Sequence, residues 1–288
     1  MANPYLEFVQ AMSRALRRGA GIPLAPGEAT GTSAPSGEAG TVVLFSPHPD
    51  DECIVGALPL RLLRERGMRV VNVSVTLGSN PVRRTARLAE LETACSFLGF
   101  ELLNPDPEGL EHVNATGRKE DPAGWRRKVT RIRSILEDLT PDIALFPHRE
   151  DWNSTHEGTH ALVMDALATM SQTFSCALVE TEYWHPMYQP NLMIEADEAL
   201  VADLVAGVSF HKGEVARNPY HLSLPAAMMD AVRRGSEIVG GQGQTAPQFT
   251  YASLYRVSTW HNGAAGPPPA DGRIIAADEP LDLPVPQD

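Results

Sequence analysis

The run Val42-Val43-Leu44-Phe45 passes without a break into Ser46-Pro47-His48-Pro49-Asp50-Asp51-Glu52, and this junction constrains the chain more than any other stretch. A continuous apolar run bounded by turn residues predicts a strand buried on both faces, as in parallel sheets covered by helices. An imidazole and three acids at the carboxyl end of such a strand lie where open α/β sheets bind their ligands. A second junction has the same form. Ile143-Ala144-Leu145-Phe146 leads into Pro147-His148-Arg149-Glu150-Asp151-Trp152-Asn153-Ser154-Thr155-His156-Glu157-Gly158-Thr159-His160.

Around these junctions the pattern alternates. Strands are expected at 41–46, 69–77, near 101, 142–146 and 176–183, and helices at 54–66, 82–98, 122–138 and 156–171. Helices at 198–216 and 224–238 and a strand near 250–257 follow. Alternation of this kind predicts an α/β chain with a Rossmann-like three-layer fold, a mostly parallel sheet flanked by helices. The Gly-Ser-Pro-Thr-rich stretch 25–40 reads as a linker, and the Pro-rich end after Gly263 as a tail. The domain plan is therefore 1–40 as N-terminal helix and linker, 41–262 as catalytic domain and 263–288 as C-terminal tail.

Charge narrows the partners. The formal net charge is -12, and the basic runs Ala15-Leu16-Arg17-Arg18 and Trp125-Arg126-Arg127-Lys128 are short helix faces, which argues against a nucleic-acid partner. No stretch reaches the ~18 apolar residues of a membrane span, and residues 1–20 lack the apolar centre and cleavage site of a secretory signal. A cytoplasmic protein is expected. Leu6, Val9, Met12 and Leu16 recur at helical spacing, which fits a helix packed on the core or on a neighbouring subunit, so a homo-oligomer stays open. Cys53, Cys95 and Cys176 lack framework spacing and read as reduced core residues. Neither Gly240-Gly241-Gln242-Gly243 nor the turn after the first strand has the pattern of a phosphate or dinucleotide loop.

The chemistry of the first junction points to a metal. Neutral imidazole and carboxylate are both zinc ligands, and of two adjacent acids one can bind metal while the other handles protons. His48 and Asp51 are close in a turn stiffened by Pro47 and Pro49. The third ligand is expected in the 148–160 segment, from His148, His156 or His160, the last two sharing a helix face.

These residues carry a resemblance. The chain is identified as similar to the PIG-L/LmbE-like zinc-dependent N-acetyl deacetylases, whose opening His-Pro-Asp-Asp-Glu run is present as His48 to Glu52. The resemblance implies His48, Asp51 and His156 as metal ligands, Asp50 as general base and Glu52 as a carboxylate supporting them. The family's downstream His-Pro-Asp-His stands here as Asn153-Ser154-Thr155-His156. The final His matches, but an Asn replaces the earlier one, and it donates a hydrogen bond without carrying a proton. Asn153 or a nearby His is expected to stabilise the tetrahedral intermediate, with His148 or His160 compensating for the missing imidazole. Arg87-Leu88-Ala89-Glu90 with Leu98-Gly99 is similar to the family's Arg-x-x-Glu helix, which implies substrate contact by Arg87. Phe210-His211-Lys212 resembles a late helix and implies the same for His211.

The function implied is hydrolytic removal of an N-acetyl group from an amino sugar such as N-acetylglucosamine, or from its conjugate, by a zinc-bound water with Asp50 as base. Fe2+ or Co2+ would suit the same donors. The alternatives are a zinc amidase acting on another N-acyl or thiol-conjugate substrate, and a non-catalytic metal- or sugar-binding relative. A small N-acetylated molecule is the expected partner in the leading reading.

Overall fold

The computed structural model describes residues 3–27 and 39–283; most of the expected linker lies outside them. Helix α1 (Leu6–Gly19) precedes strand β1 (Thr41–Ser46), the one-turn helix α2 (Asp51–Ile54) and helix α3 (Ala57–Arg66). The helix expected at 54–66 is broken at Gly56, whose φ is +89° and where a Cβ would lie 2.2 Å from Ser253 Oγ. Strand β2 (Arg69–Ser74) and helix α4 (Arg84–Leu98) follow; α4 stops at Gly99, whose φ of 81° lies in the left-handed region glycine adopts without strain. Strand β3 (Glu101–Leu103) and helices α5 (Ala115–Glu120) and α6 (Pro122–Leu139) lead to strand β4 (Ile143–Pro147). Helix α6 starts where Asp121 accepts the Gly124 N–H and Pro122 occupies the first turn.

Helix α7 (Ser154–Leu167) and strand β5 (Cys176–Thr181) come next, then strand β6 (Leu192–Ala196), which sequence patterning did not reveal. Its residues, Leu-Met-Ile-Glu-Ala, are interrupted by Glu195 and show neither a continuous apolar run nor a strict alternation. The helix expected at 198–216 is two helices, α8 (Glu198–Ser209) and α9 (Lys212–Arg217), parted at Phe210-His211. Helix α10 (Leu224–Ile238) has the expected limits, and strand β7 (Tyr251–His261) runs further than expected. The segment read as a tail adds strands β8 (Ala264–Ala265) and β9 (Arg273–Ile275), the latter pairing parallel with β6.

Among the described residues the nine strands form one sheet, ordered β3-β2-β1-β4-β5-β7-β6-β9, with β8 on β7. The first five pair in parallel, while β7 runs antiparallel to β5 and β6. The three-layer, mostly parallel fold expected from the alternation is the one observed. Alternate residues of β1 face opposite layers. Val42 and Leu44 join the core beneath α3, α4 and α8, and Val43 and Phe45 the core beneath α6 and α7. All four are fully buried, each contributing about 1.5–3 kcal/mol of burial.

Candidate metal centre and its cleft

The strand order reverses between β1 and β4. Crossovers leave these neighbouring strands in opposite directions, which opens a crevice at their carboxyl ends. His48, Asp50 and Asp51 follow β1, and α7, which follows β4, carries His156 on its first turn. The two junctions of the sequence thus face each other across the switch point.

His48, Asp51 and His156 converge there. His48 Nδ1 lies 3.2 Å from His156 Nε2 and 3.4 Å from Asp51 Oδ2, and Asp51 Oδ2 lies 3.3 Å from His156 Nε2. A tetrahedron whose donors stand about 2.0–2.1 Å from its centre has edges of about 3.3–3.4 Å, so this triangle has the dimensions of one face of a tetrahedral zinc site. Asp51 is held in place by the His48 N–H, which donates to its Oδ2 at 2.9 Å, and its buried Oδ1 has no hydrogen-bond partner. The orphaned oxygen and the nitrogen-oxygen donor set both fit a bound divalent ion.

Asp50 sits beside this triangle with φ +119°, a left-handed conformation that costs a non-glycine residue about 1–3 kcal/mol. Surrounding contacts maintain it. The Asp50 N–H donates to Glu52 Oε2 at 2.9 Å, and the Tyr220 hydroxyl donates to Asp50 Oδ2 at 2.5 Å. Glu52 is fully buried and its other oxygen lies 2.7 Å from His211 Nε2. Glu52, Cys53 and His211 make a second cluster of potential donors, but direct hydrogen bonds already join them.

The remaining expected residues fall in various places. His211 is fully buried behind the turn and bonded to Glu52, so it supports the site from beneath instead of lining the cleft as expected for substrate contact. Arg87 donates to the Pro49 carbonyl at 2.9 Å and stands 4.0 Å from Asp50 Oδ2 and 3.9 Å from Glu214, which ties it to the turn. Asn153 is the N-cap of α7, its Oδ1 accepting the Thr155 N–H at 2.9 Å. Its carbonyl is thereby committed, leaving only Nδ2 for other work. His148 is fixed by the His185 carbonyl at 2.9 Å and the Glu150 N–H at 3.3 Å. His160 Nδ1 donates to the Pro147 carbonyl at 2.9 Å and lies 3.4 Å from Glu180; it is not one of the three converging donors.

Three neighbours escaped the sequence reading. Asp151 is fully buried, accepts the Asn153 and Trp184 N–H groups, and faces His156 Nδ1 at 3.4 Å. A carboxylate behind an imidazole in this way fixes its orientation and raises its basicity. Its signal was an acid in the loop that leads into the helix bearing His156. Tyr183 sets its ring edge-on to His156, centroids 5.0 Å apart. Tyr220 lies 170 residues from Asp50, and no local pattern marks it.

The electrostatics follow from this crowding of acids. Burial and the adjacent Asp51 charge push Asp50 up to about 7, against His211, Arg87 and Tyr220, which pull it down. Asp51 is held well below the ordinary carboxylate range: burial raises it, but His156 and His48 outweigh that. Burial works against charge on His156, yet Asp51 and Asp151 hold it up at about 10. The pocket therefore draws positive charge to His156 Nε2, as a proton or as a metal ion. His160, by contrast, is pushed down to about 4 by burial and stays neutral.

Fold and donor set define the class: an open-sheet α/β protein with a His-Asp-His constellation at its switch point. Residues 43–167 match the family described as PIG-L: GlcNAc-PI de-N-acetylase, the family that the His48–Glu52 run resembles. Comparison with curated proteins gives no sequence match. Among solved structures, N,N'-diacetylchitobiose deacetylase from Pyrococcus horikoshii superposes with a TM-score of 0.55 at 16% identity, over 87% of this chain and 92% of that one. A conserved protein from Thermus thermophilus gives 0.56 at 16% identity, over 87% and 100%. The 4-carboxy-2-hydroxymuconate hydratase from Pseudomonas putida gives 0.57 at 13% identity, over 76% and 95%. At these identities the likeness is one of fold, and the fold carries more than one chemistry.

Proposed function

We propose that the protein is a metal-dependent hydrolase that removes the N-acetyl group from an amino sugar or its conjugate. The observation that carries the reading is the donor triangle of 3.2 to 3.4 Å edges with Asp50 beside it. The family match over residues 43–167, described as a GlcNAc-PI de-N-acetylase, supports both the class of reaction and an acetamido sugar as substrate.

His48, Asp51 and His156 are the residues that would hold the metal, with zinc fitting best and Fe2+ or Co2+ accepted by the same donors. When bound, the ion supplies Lewis-acid activation of water and of the amide carbonyl. Asp50 acts as general base, accepting the proton of the attacking water at its carboxylate and returning it to the departing amine nitrogen. Asp151 keeps His156 oriented, and Glu52 with His211 keeps the Asp50-Asp51 turn in its strained form. The Nδ2 of Asn153 is the donor assigned to the developing oxyanion, a role that suits an amide needing no proton of its own.

The test is amine release by the metal-loaded protein from a panel of N-acetylated amino sugars, their conjugates and simple N-acyl amides, with Asp50→Asn as control. Release from the acetamido sugars that falls about 10² to 10⁴-fold in the control is expected. Release confined to non-sugar amides would move the reading to another N-acyl substrate, and a control as active as the wild type would remove Asp50 from its role.

A further inference from the structure

The proposed base is anchored by a residue from a distant part of the chain. Asp50 and Tyr220 are both buried, 7% and 8% exposed, and the phenol donates to Asp50 Oδ2 at 2.5 Å. The contact is built from two sides. Tyr220 lies in a single 3₁₀ turn between α9 and α10, and its ring is met edge-on by Trp184 at 5.6 Å. The Trp184 N–H donates to Asp151 Oδ2, and that same oxygen faces His156 Nδ1. The contacts thus run from a member of the donor triangle, through Asp151, Trp184 and Tyr220, to Asp50. Around Asp50, Glu52 takes the backbone N–H and Tyr220 takes Oδ2, while Arg87 stands 4.0 Å from the same oxygen. Among the described residues no donor reaches Oδ1.

We infer that Tyr220 is the positioning residue of the base: it holds Oδ2, fixes the plane of the carboxylate and leaves Oδ1 as the oxygen that exchanges protons. This rests on Asp50 acting as proposed above, and extends it by assigning the two carboxylate oxygens different work. The phenol suits the task because a tyrosine hydroxyl stays protonated through the neutral range and can only donate to a carboxylate. A base rotated out of line loses rate steeply, since a misplacement of about 1 Å can cost on the order of 10². The 3₁₀ turn and the burial of its own ring give the phenol a fixed origin that a surface side chain would lack, with the partly exposed Trp184 covering one edge.

The experiment compares wild type, Tyr220→Phe and Asp50→Asn by two readouts. Proton NMR should show a slowly exchanging hydroxyl resonance far downfield in the wild type, absent from both variants, because a short buried phenol-carboxylate bond deshields and protects its proton. On the acetamido substrate, Tyr220→Phe should bind metal as the wild type does, keep its KM within about twofold and lose about tenfold to a hundredfold in kcat. Phe preserves the ring and its contact with Trp184, so a loss confined to kcat reports the hydroxyl, not the packing. No downfield resonance in the wild type, or a kcat unchanged in Tyr220→Phe, overturns the assignment. Should the wild type turn over no substrate of the panel, the functional reading fails, whereas the resonance and its loss in both variants still decide the tether.

Discussion

At the scale of single residues, the site is a contest between burial and charge, and Asp50 shows its consequence most directly. Burial and Asp51 push its carboxyl up to about 7, and a bound dication would pull it down again. A base must be ionised to accept a proton, so kcat/KM should fall as pH drops through this value, with the acid limb at or below about 7 in the metal-loaded enzyme. An acid limb well above pH 7, or a profile with no fall down to the ordinary carboxylate range near pH 4, would contradict Asp50 as the base. His211 carries a structural prediction. Burial alone would lower its pKa, but Glu52 raises it above the ordinary value. The pair therefore contributes stability that is full below the unfolded value of about 6.5 and lost as pH rises through the raised one. His211→Ala leaves Glu52 buried without its partner and should cost about 3–5 kcal/mol in denaturant unfolding. A cost under about 1 kcal/mol would show that water replaces the imidazole there. Residue type and place after a strand pointed to His48 and Asp51, while the choice of His156 over His148 and His160 came from the family resemblance. The sequence could not separate a residue in the cleft from one beneath it, and His211 moved from the first position to the second.

At the scale of elements, helix α7 places His156, and Asn153 begins α7. Asn153→Ala removes the cap and should destabilise the protein by about 1 kcal/mol, readable as a lower melting temperature. Asn153→Asp keeps a capping oxygen and should restore stability, but it lacks the Nδ2 donor; a stable Asn153→Asp variant with full activity would leave Asn153 as a cap and nothing more. Strand and helix positions were legible wherever a run was long enough to show its period: β1 and α10 have their expected limits, and α6 differs at one end by a residue. The errors came where local pattern and tertiary contact part. Apolar residues continue through Gly56 and through Phe210, but the helix breaks at Gly56, where φ is +89° and Ser253 leaves no room for a side chain, and at His211, whose ring is bonded inward to Glu52. β6 was invisible because Glu195 interrupts its apolar run, and Tyr220 because its meaning lies in a residue far away in sequence.

At the scale of the whole molecule, the C-terminal segment is part of the fold. β9 pairs with β6, and Leu281 and Leu283 are buried. Arg61, 2% exposed, donates to the carbonyls of Glu195, Ala276, Ala277 and Glu279, joining α3 and β6 to that segment. Ending the chain at residue 262 should therefore lower stability by more than about 3 kcal/mol, since a buried guanidinium loses acceptors along with the lost apolar burial. An unchanged melting temperature would restore the tail reading. No helix among the described residues is long and apolar enough to cross a membrane. What unites the molecule is the crevice between β1 and β4, to which both junctions, the C-terminal 3₁₀ turn and the loop after β5 each bring a side chain. The most direct test of that convergence is amine release from an N-acetylated amino sugar measured while metal-free protein is titrated with zinc. The rate should rise in proportion to zinc up to one equivalent and then level, with His48→Ala showing no such rise. A rate indifferent to metal, or a His48→Ala variant that titrates like the wild type, would contradict the account.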